Sequence, residues 1–182
     1  MADDTREETK TAASVPPKKN AKGVILDKDG KPCRTCNTLS QFRSGTKSIS
    51  HLPSSSSFPT KSPSSTPSTD DCPPDVELLG RSSWTLLHSI TATYPVAPSP
   101  TQQSDAKTFM SLFGKLYPCW VCAEDFQDFM ARNRVRTESR QAFGEWMCEA
   151  HNEVNRKLGK REFDCSRWEE RWRTGWRDGR CD

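Results

Sequence analysis

Two cysteine pairs have C-x-x-C spacing, Cys33/Cys36 in "PCRTC" and Cys119/Cys122 in "YPCWVC". Such a pair can close a small disulfide staple, supply half of a zinc site, or exchange electrons as a dithiol. Cys119 and Cys122 follow Pro118 and open an amphipathic run. At a helix start, unpaired backbone N–H groups and the macrodipole favour a thiolate and lower its pKa below the free value of about 8.5. Thiolate is the form that attacks a disulfide, so position points to redox chemistry. A Cys₄ zinc site needs both pairs together, and zinc ribbons keep them within about 20 residues of each other. Here a long Ser/Pro-rich stretch intervenes, which disfavours zinc.

Four further cysteines are Cys72, Cys148, Cys165 and Cys181. Cys148 and Cys165 flank the turn "GKREFD" at a spacing that suits a staple, contributing about 3 kcal/mol in the chain-entropy model. Cys72 and Cys181 sit at the two ends of the C-terminal part and can pair within the chain or across a dimer. In "HNEVNRKLGK", His151, Asn155 and Leu158 fall on one helical face, with Lys157 and Lys160 at its end. Those polar groups are either a satisfied core pair or a site for a heteroaromatic with phosphates nearby. Trp168, Trp172 and Trp176 recur every fourth residue among arginines, as core packing or as a stacking platform.

These residues need a scaffold, and the composition says where it lies. All six Trp fall between residues 76 and 176 of the 182. Residues 44–71 are rich in Ser, Thr and Pro with little to bury, and read as a flexible linker. The linker tethers the island "DGKPCRTCNTLSQF", whose core is too small to stand alone, so Cys33 and Cys36 are expected to be mobile. Beyond it the pattern is helical. The first helix carries Val76, Leu79, Leu86, Leu87, Ile90 and Tyr94 on its inner face. The second opens on a Ser99/Gln102 capping box with Pro100, and turns Ala106, Phe109, Met110, Phe113, Leu116 and Tyr117 inward.

A third helix is expected from Cys119 to about Arg132, with Val121, Phe126, Phe129 and Met130 inward, and a fourth from about Ser139 to Leu158, stopped at Gly159. A short fifth follows Asp164, with Ser166 and Glu169 as a second capping box. No strand pattern competes. The fold class is therefore all-α, a four-helix bundle with an additional short fifth helix and a disordered N-terminal arm over residues 1–71.

Several function classes drop out. A net charge of +3 is too small to argue for nucleic acid. No run approaches the ~18 apolar residues of a membrane span. "MADDTREETK" has neither the apolar core of a secretory signal nor the Arg-rich, acid-poor character of a transit peptide. G-x-G-x-x-G and the P-loop motif are both missing from the sequence.

Taken together, "CPPDVELLGRSSWTLLH", "YPCWVCAEDF", "HNEVNRKLGK" and "FDCSRWEERWRTGWRDGRCD", with "DGKPCRTCNTL" upstream, resemble the ERV/ALR family of FAD-linked sulfhydryl oxidases. The resemblance implies a homodimeric thiol oxidase with FAD in the bundle and a sulfhydryl oxidase domain over residues 72–182. Cys119 and Cys122 would be the redox disulfide, with Cys122 nearest the flavin. Cys33 and Cys36 would be a shuttle that carries electrons from substrate thiols to Cys119 of the partner subunit. The matching cofactor positions are Gly80, Arg81, Trp84 and His88, then His151, Asn152, Asn155, Lys157 and Lys160, and Trp172. Cys148 with Cys165 would fix the cofactor wall, and Cys72 with Cys181 resemble inter-subunit disulfide positions. Oxygen or cytochrome c would take the electrons. The implied setting is the mitochondrial intermembrane space, with the import oxidoreductase of its disulfide relay as thiol partner. Two features depart from relatives: Trp168 stands where a smaller apolar residue is familiar, and the Ser/Pro linker is unlike theirs. The competing reading from another class is a non-enzymatic helical adaptor, stapled by disulfides or zinc, with a Ser/Pro interaction tail.

Overall fold

The computed structural model describes residues 18–41 and 72–181; the expected linker, 44–71, lies outside them. Four helices form the body, and each start is chemically marked. α1, Val76–Thr93, is capped by Asp75, whose side chain accepts from the backbone N–H groups of Glu77 and Leu78. α2, Pro100–Leu116, begins with the reciprocal Ser99/Gln102 capping box that the sequence predicts. α3, Trp120–Arg132, has Cys119 itself at the N-cap. α4, Arg140–Lys157, is capped by Ser139.

The end of α4 shows why a glycine stands at 159. Its φ is +65°, in the left-handed region. That turn lets the Gly159 N–H donate to the Arg156 carbonyl at 3.1 Å and the Lys160 N–H to the Asn155 carbonyl at 2.8 Å. Two otherwise orphaned carbonyls are thereby satisfied in a Schellman arrangement.

α1 packs along α4 and α2 along α3 around Leu87, Met110, Phe126, Phe129, Phe143, Trp146 and Met147. Polar bonds fix the connections. Tyr94 Oη donates to the Thr137 carbonyl at 3.1 Å, and Trp146 Nε1 to that of Asn133 at 3.0 Å. Three residues expected inward are instead exposed: Leu86, Phe109 and Leu116. Their helices are apolar over a wider arc than one neighbour covers, so periodicity assigned the whole arc to the core.

The fifth helix also differs from expectation. It is a 3₁₀ turn, Cys165–Arg167, followed by a π-helical turn, Glu170–Thr174. The expected Ser166/Glu169 box does not form, because Asp164 two residues earlier is the cap and accepts from both the Ser166 N–H and its hydroxyl. A Cys148–Cys165 disulfide ties this segment to α4.

Trp168 lies fully buried against α4, and Gly144 is what admits it. A methyl group at 144 would come within 2.6 Å of the indole carbons. Gly144→Ala should therefore lose stability by up to about 2 kcal/mol, because overpacking costs roughly 1–3 kcal/mol against a gain of about 1 kcal/mol from removing a helical glycine. Urea unfolding of Gly144→Ala, Trp168→Leu and the double variant checks this: the double variant should be more stable than the sum of the two losses predicts.

Candidate active site

The Cys119–Cys122 disulfide occupies the first turn of α3, where Pro118 ends the preceding run and Cys119 Sγ accepts the Cys122 N–H at 3.3 Å. Cys119 is 1% exposed, whereas Cys122 is half-buried. On reduction, the free N–H groups of this turn face the sulfur that carries the charge.

What covers Cys119 is the N-terminal arm. Residues 18–41 fold back twice, with isolated antiparallel bridges Lys19–Ile25 and Leu26–Pro32 and turns at Gly23 and Gly30, both at positive φ. Asn37 holds the folded arm together. Its side-chain oxygen accepts from Ile25 N–H at 2.9 Å, and its amide nitrogen donates to the Ile25 and Cys33 carbonyls at 2.9 and 2.6 Å.

The arm is then laid on the body. Thr35 Oγ1 donates to the Pro118 carbonyl at 3.0 Å, and Trp120 Nε1 to the Leu26 carbonyl at 3.0 Å. Cys33 and Cys36 form a disulfide, are 7% and 5% exposed, and share one cluster with Cys119, Val76, Leu79 and Trp120. The mobile pair expected from the island's small core is thus docked, because α1 and α3 supply the core that the island lacks. It packs beside Cys119 of its own chain.

On the other flank of α1, four rings form a ladder across three elements. Trp84 stacks on His151 with centroids 4.2 Å apart, and His88 stacks on Trp172 at 4.3 Å. The two imidazoles join through His88 Nε2 and His151 Nδ1 at 3.0 Å. Burial pushes His88 down to about 3 and His151 down to about 4, so both are neutral at pH 7. One proton then lies between them. His88 Nδ1 is buried without a partner, and a buried lone pair is tolerated better than a buried N–H. The tautomer assigned from this network has His88 Nε2–H donating, which leaves the N–H of His151 on Nε2, free to face a ligand.

The remaining predicted cofactor residues divide. Gly80 has open space where a side chain would stand. Arg81 is exposed. Lys157 pairs with Asp125 at 2.8 Å. Lys160 lies close enough to help depress His151. Asn155 donates to Asn152 Oδ1 at 3.4 Å. Asn152 is spent on the fold: it exchanges two 2.8 Å bonds with the backbone of Phe163 and points its amide at Cys165 Sγ, 3.4 Å away. Trp176 is likewise structural, between the guanidinium groups of Arg167 and Arg180 at 4.5 and 4.9 Å. Cys72 and Cys181 are free and exposed. Sequence reasoning missed Asp75 and Trp120. Asp75 is a recognisable N-cap before "VELL", whereas the bond of Trp120 to the arm has no local signature.

Among the described residues, no group of three or more His, Cys, Asp or Glu is placed to hold a metal. The model of the Erv1 / Alr family matches residues 81–173, which hold the redox turn, the ring ladder and the Cys148–Cys165 tie. The chain belongs to this family. It is 45% identical over 88% of its length to "Mitochondrial FAD-linked sulfhydryl oxidase ERV1" of Saccharomyces cerevisiae, covering 94% of that protein. It is 42% identical over 80% of its length to the like-named protein of Schizosaccharomyces pombe, covering 88% of it. Among solved structures, the FAD binding domain of Erv1 from Saccharomyces cerevisiae matches with a TM-score of 0.56 and 53% identity, over 57% of this chain and 99% of that one.

The neutral histidine pair predicts a pH dependence with a definite sign. Both groups have folded pKa values below the ordinary 6.5, so between 6.5 and about 4 the unfolded chain binds more protons. Stability should be fully present above pH 6.5 and fall as the pH drops through this window, by up to about 1.4 kcal/mol per pH unit for each histidine. Urea unfolding from pH 7.5 to 4 checks this against His151→Gln, which should show a shallower slope than the parent.

Proposed function

We propose that this chain is a FAD-linked thiol oxidase that makes disulfides in substrate dithiols. The observation that carries the reading is the packing of one C-x-x-C disulfide against a second that caps a helix, in a chain of this family. Two pairs in contact form a relay. A substrate dithiol attacks the Cys33–Cys36 disulfide and leaves as a disulfide, giving up two electrons and two protons. The Cys33/Cys36 dithiol then attacks Cys119, releases Cys122 as thiolate, and closes again as a disulfide. Cys119 is the sulfur packed against the arm, which supports its role in interchange; Cys122, half-buried on the next position of the turn, is the sulfur that hands electrons on.

The residues present fit the flavin cofactor named for the relatives. The ladder offers flat aromatic faces, neutral imidazoles with an N–H on His151, and a buried acceptor at His88 Nδ1 that lacks a partner. Trp84, His88, His151 and Trp172 would hold the ring system, and Gly80 would admit it closely. Arg81, Asn155, Lys157 and Lys160 would bind its polar and phosphate groups. Asn152 would serve from behind, by fixing the Phe163 strap. When bound, FAD supplies a two-electron acceptor that passes electrons to oxygen, giving hydrogen peroxide, or to cytochrome c.

The relatives' names support a mitochondrial setting, and the finer placement is our proposal. We place the protein in the mitochondrion, in the intermembrane space, with the import oxidoreductase of the disulfide relay as its thiol partner. No described helix is long and apolar enough to cross a membrane. A homodimer is supported by the exposed Leu78 and Leu86 on α1 and Phe109, Leu112 and Leu116 on α2, an apolar surface that a monomer would leave wet. The free, exposed Cys72 and Cys181 are available to link two such subunits.

Purified protein should show a visible flavin band that bleaches with dithiothreitol under nitrogen and returns with air. Cys122→Ser should retain the band and lose dithiothreitol oxidase activity to background. Full activity in that variant, or a folded wild-type protein that neither carries nor takes up FAD, would sink the assignment and restore the stapled adaptor.

A further inference from the structure

The Asp75 carboxylate serves two parts of the chain at once. Its Oδ1 accepts the N–H groups of Glu77 at 3.1 Å and Leu78 at 2.9 Å, capping α1, while Oδ2 accepts the Leu39 N–H of the arm at 2.9 Å. Beside it the Val76 N–H donates to the Asn37 carbonyl at 3.3 Å, and Arg34 Nε donates to the Pro73 carbonyl at 2.7 Å. Trp120 Nε1 holds the arm from the other side, at Leu26.

This docking has a kinetic consequence. Disulfide exchange requires a thiolate to reach a disulfide sulfur. In the docked arrangement Cys33, Cys36 and Cys119 are 7%, 5% and 1% exposed. The arm is therefore arranged for transfer to Cys119 and closed to outside thiols.

We propose that Asp75 is a positioning residue that latches the arm over Cys119, so that loss of its bond to the Leu39 N–H opens Cys33–Cys36 to outside thiols. The proposal rests on the reading of Cys33/Cys36 as the shuttle. Latch and cap share one side chain, so arm release need not unwind α1. An amide at 75 separates the two roles. With its single oxygen turned to Glu77 and Leu78 it caps as well as Asp does. Its NH₂ group then faces the Leu39 N–H, donor against donor, and the arm loses a charge-assisted bond that is worth roughly a factor of ten in the docking equilibrium.

The test measures disulfide access in the oxidised, FAD-loaded full chain. A water-soluble phosphine delivers two electrons to a disulfide and becomes the phosphine oxide. After a brief pulse, alkylation and mass spectrometry report each pair separately. In Asp75→Asn, Cys33–Cys36 and Cys119–Cys122 should be reduced about ten times faster than in the parent. Cys148–Cys165 should keep its rate, and the helical circular dichroism should be unchanged. Trp120→Phe, which removes the N–H to Leu26 and part of the indole packed on the arm but touches no cap, should shift the same two pairs in the same direction.

Parent-like rates for both C-x-x-C pairs in both variants would overturn the latch. So would an equal acceleration of Cys148–Cys165, which would mean general loosening. The flavin band of the same samples reports separately on the oxidase reading: a colourless protein with accelerated C-x-x-C reduction would retain the latch and reject the enzyme.

Discussion

The hydrogen bond between His88 and His151 is the joint on which the cofactor wall depends. It crosses from α1 to α4 at 3.0 Å, and each imidazole carries an indole on its face. Without the bond, two buried polar rings would each lack a partner. With it, Trp84 and Trp172 are held at fixed heights on either side of one seam. The bond also requires both rings to stay neutral, and burial enforces that. Packing and protonation state are here one constraint, since the desolvation that buries the rings also removes the charge that would separate them.

A second consequence runs to the C-terminal segment. Trp172 can meet His88 only if the chain after α4 returns across α1. That return is fixed by the Cys148–Cys165 disulfide, by Asn152 gripping both backbone groups of Phe163, and by Trp168 set flat on Gly144. The wider π-helical turn at Glu170–Thr174 follows directly on this anchored stretch. A regular α-helix would advance its side chains by a larger angle per residue than this wider turn does, so the local winding and the stacking of Trp172 belong together.

The parts legible in the sequence were those fixed by neighbours along the chain. The Ser99/Gln102 box, the Gly159 stop and the helix starting at the Cys119 pair are local signals, and they appear where they were expected. The faces of α1 and α2 were harder to read. Periodicity reports how much of a helix is apolar, but it does not say whether the cover comes from the same chain; hence Leu86, Phe109 and Leu116 were assigned inward. The arm was judged by its own small core, although its stability comes from surfaces far away in sequence. Asn152 was named among the cofactor residues by the resemblance alone, and the strap it holds lies 11 residues on and has no periodic trace.

The three disulfides show how one residue type is given different chemistry by its surroundings. Cys148–Cys165 joins two elements 17 residues apart, with Cys148 inside α4, Cys165 opening the short 3₁₀ turn and the Asn152 amide beside the sulfurs. Reducing it would free the segment that positions Trp172, so its role is to persist. The C-x-x-C pairs enclose only three residue steps each, and opening them releases little chain. Their local cost of reduction is therefore small. Cys119–Cys122 also sits where backbone N–H groups stabilise the thiolate that reduction produces. Low structural cost and a second pair in contact are what two-electron exchange between pairs requires; Cys33, Cys36, Cys119 and Cys122 meet both, and Cys119–Cys122 adds the stabilised product.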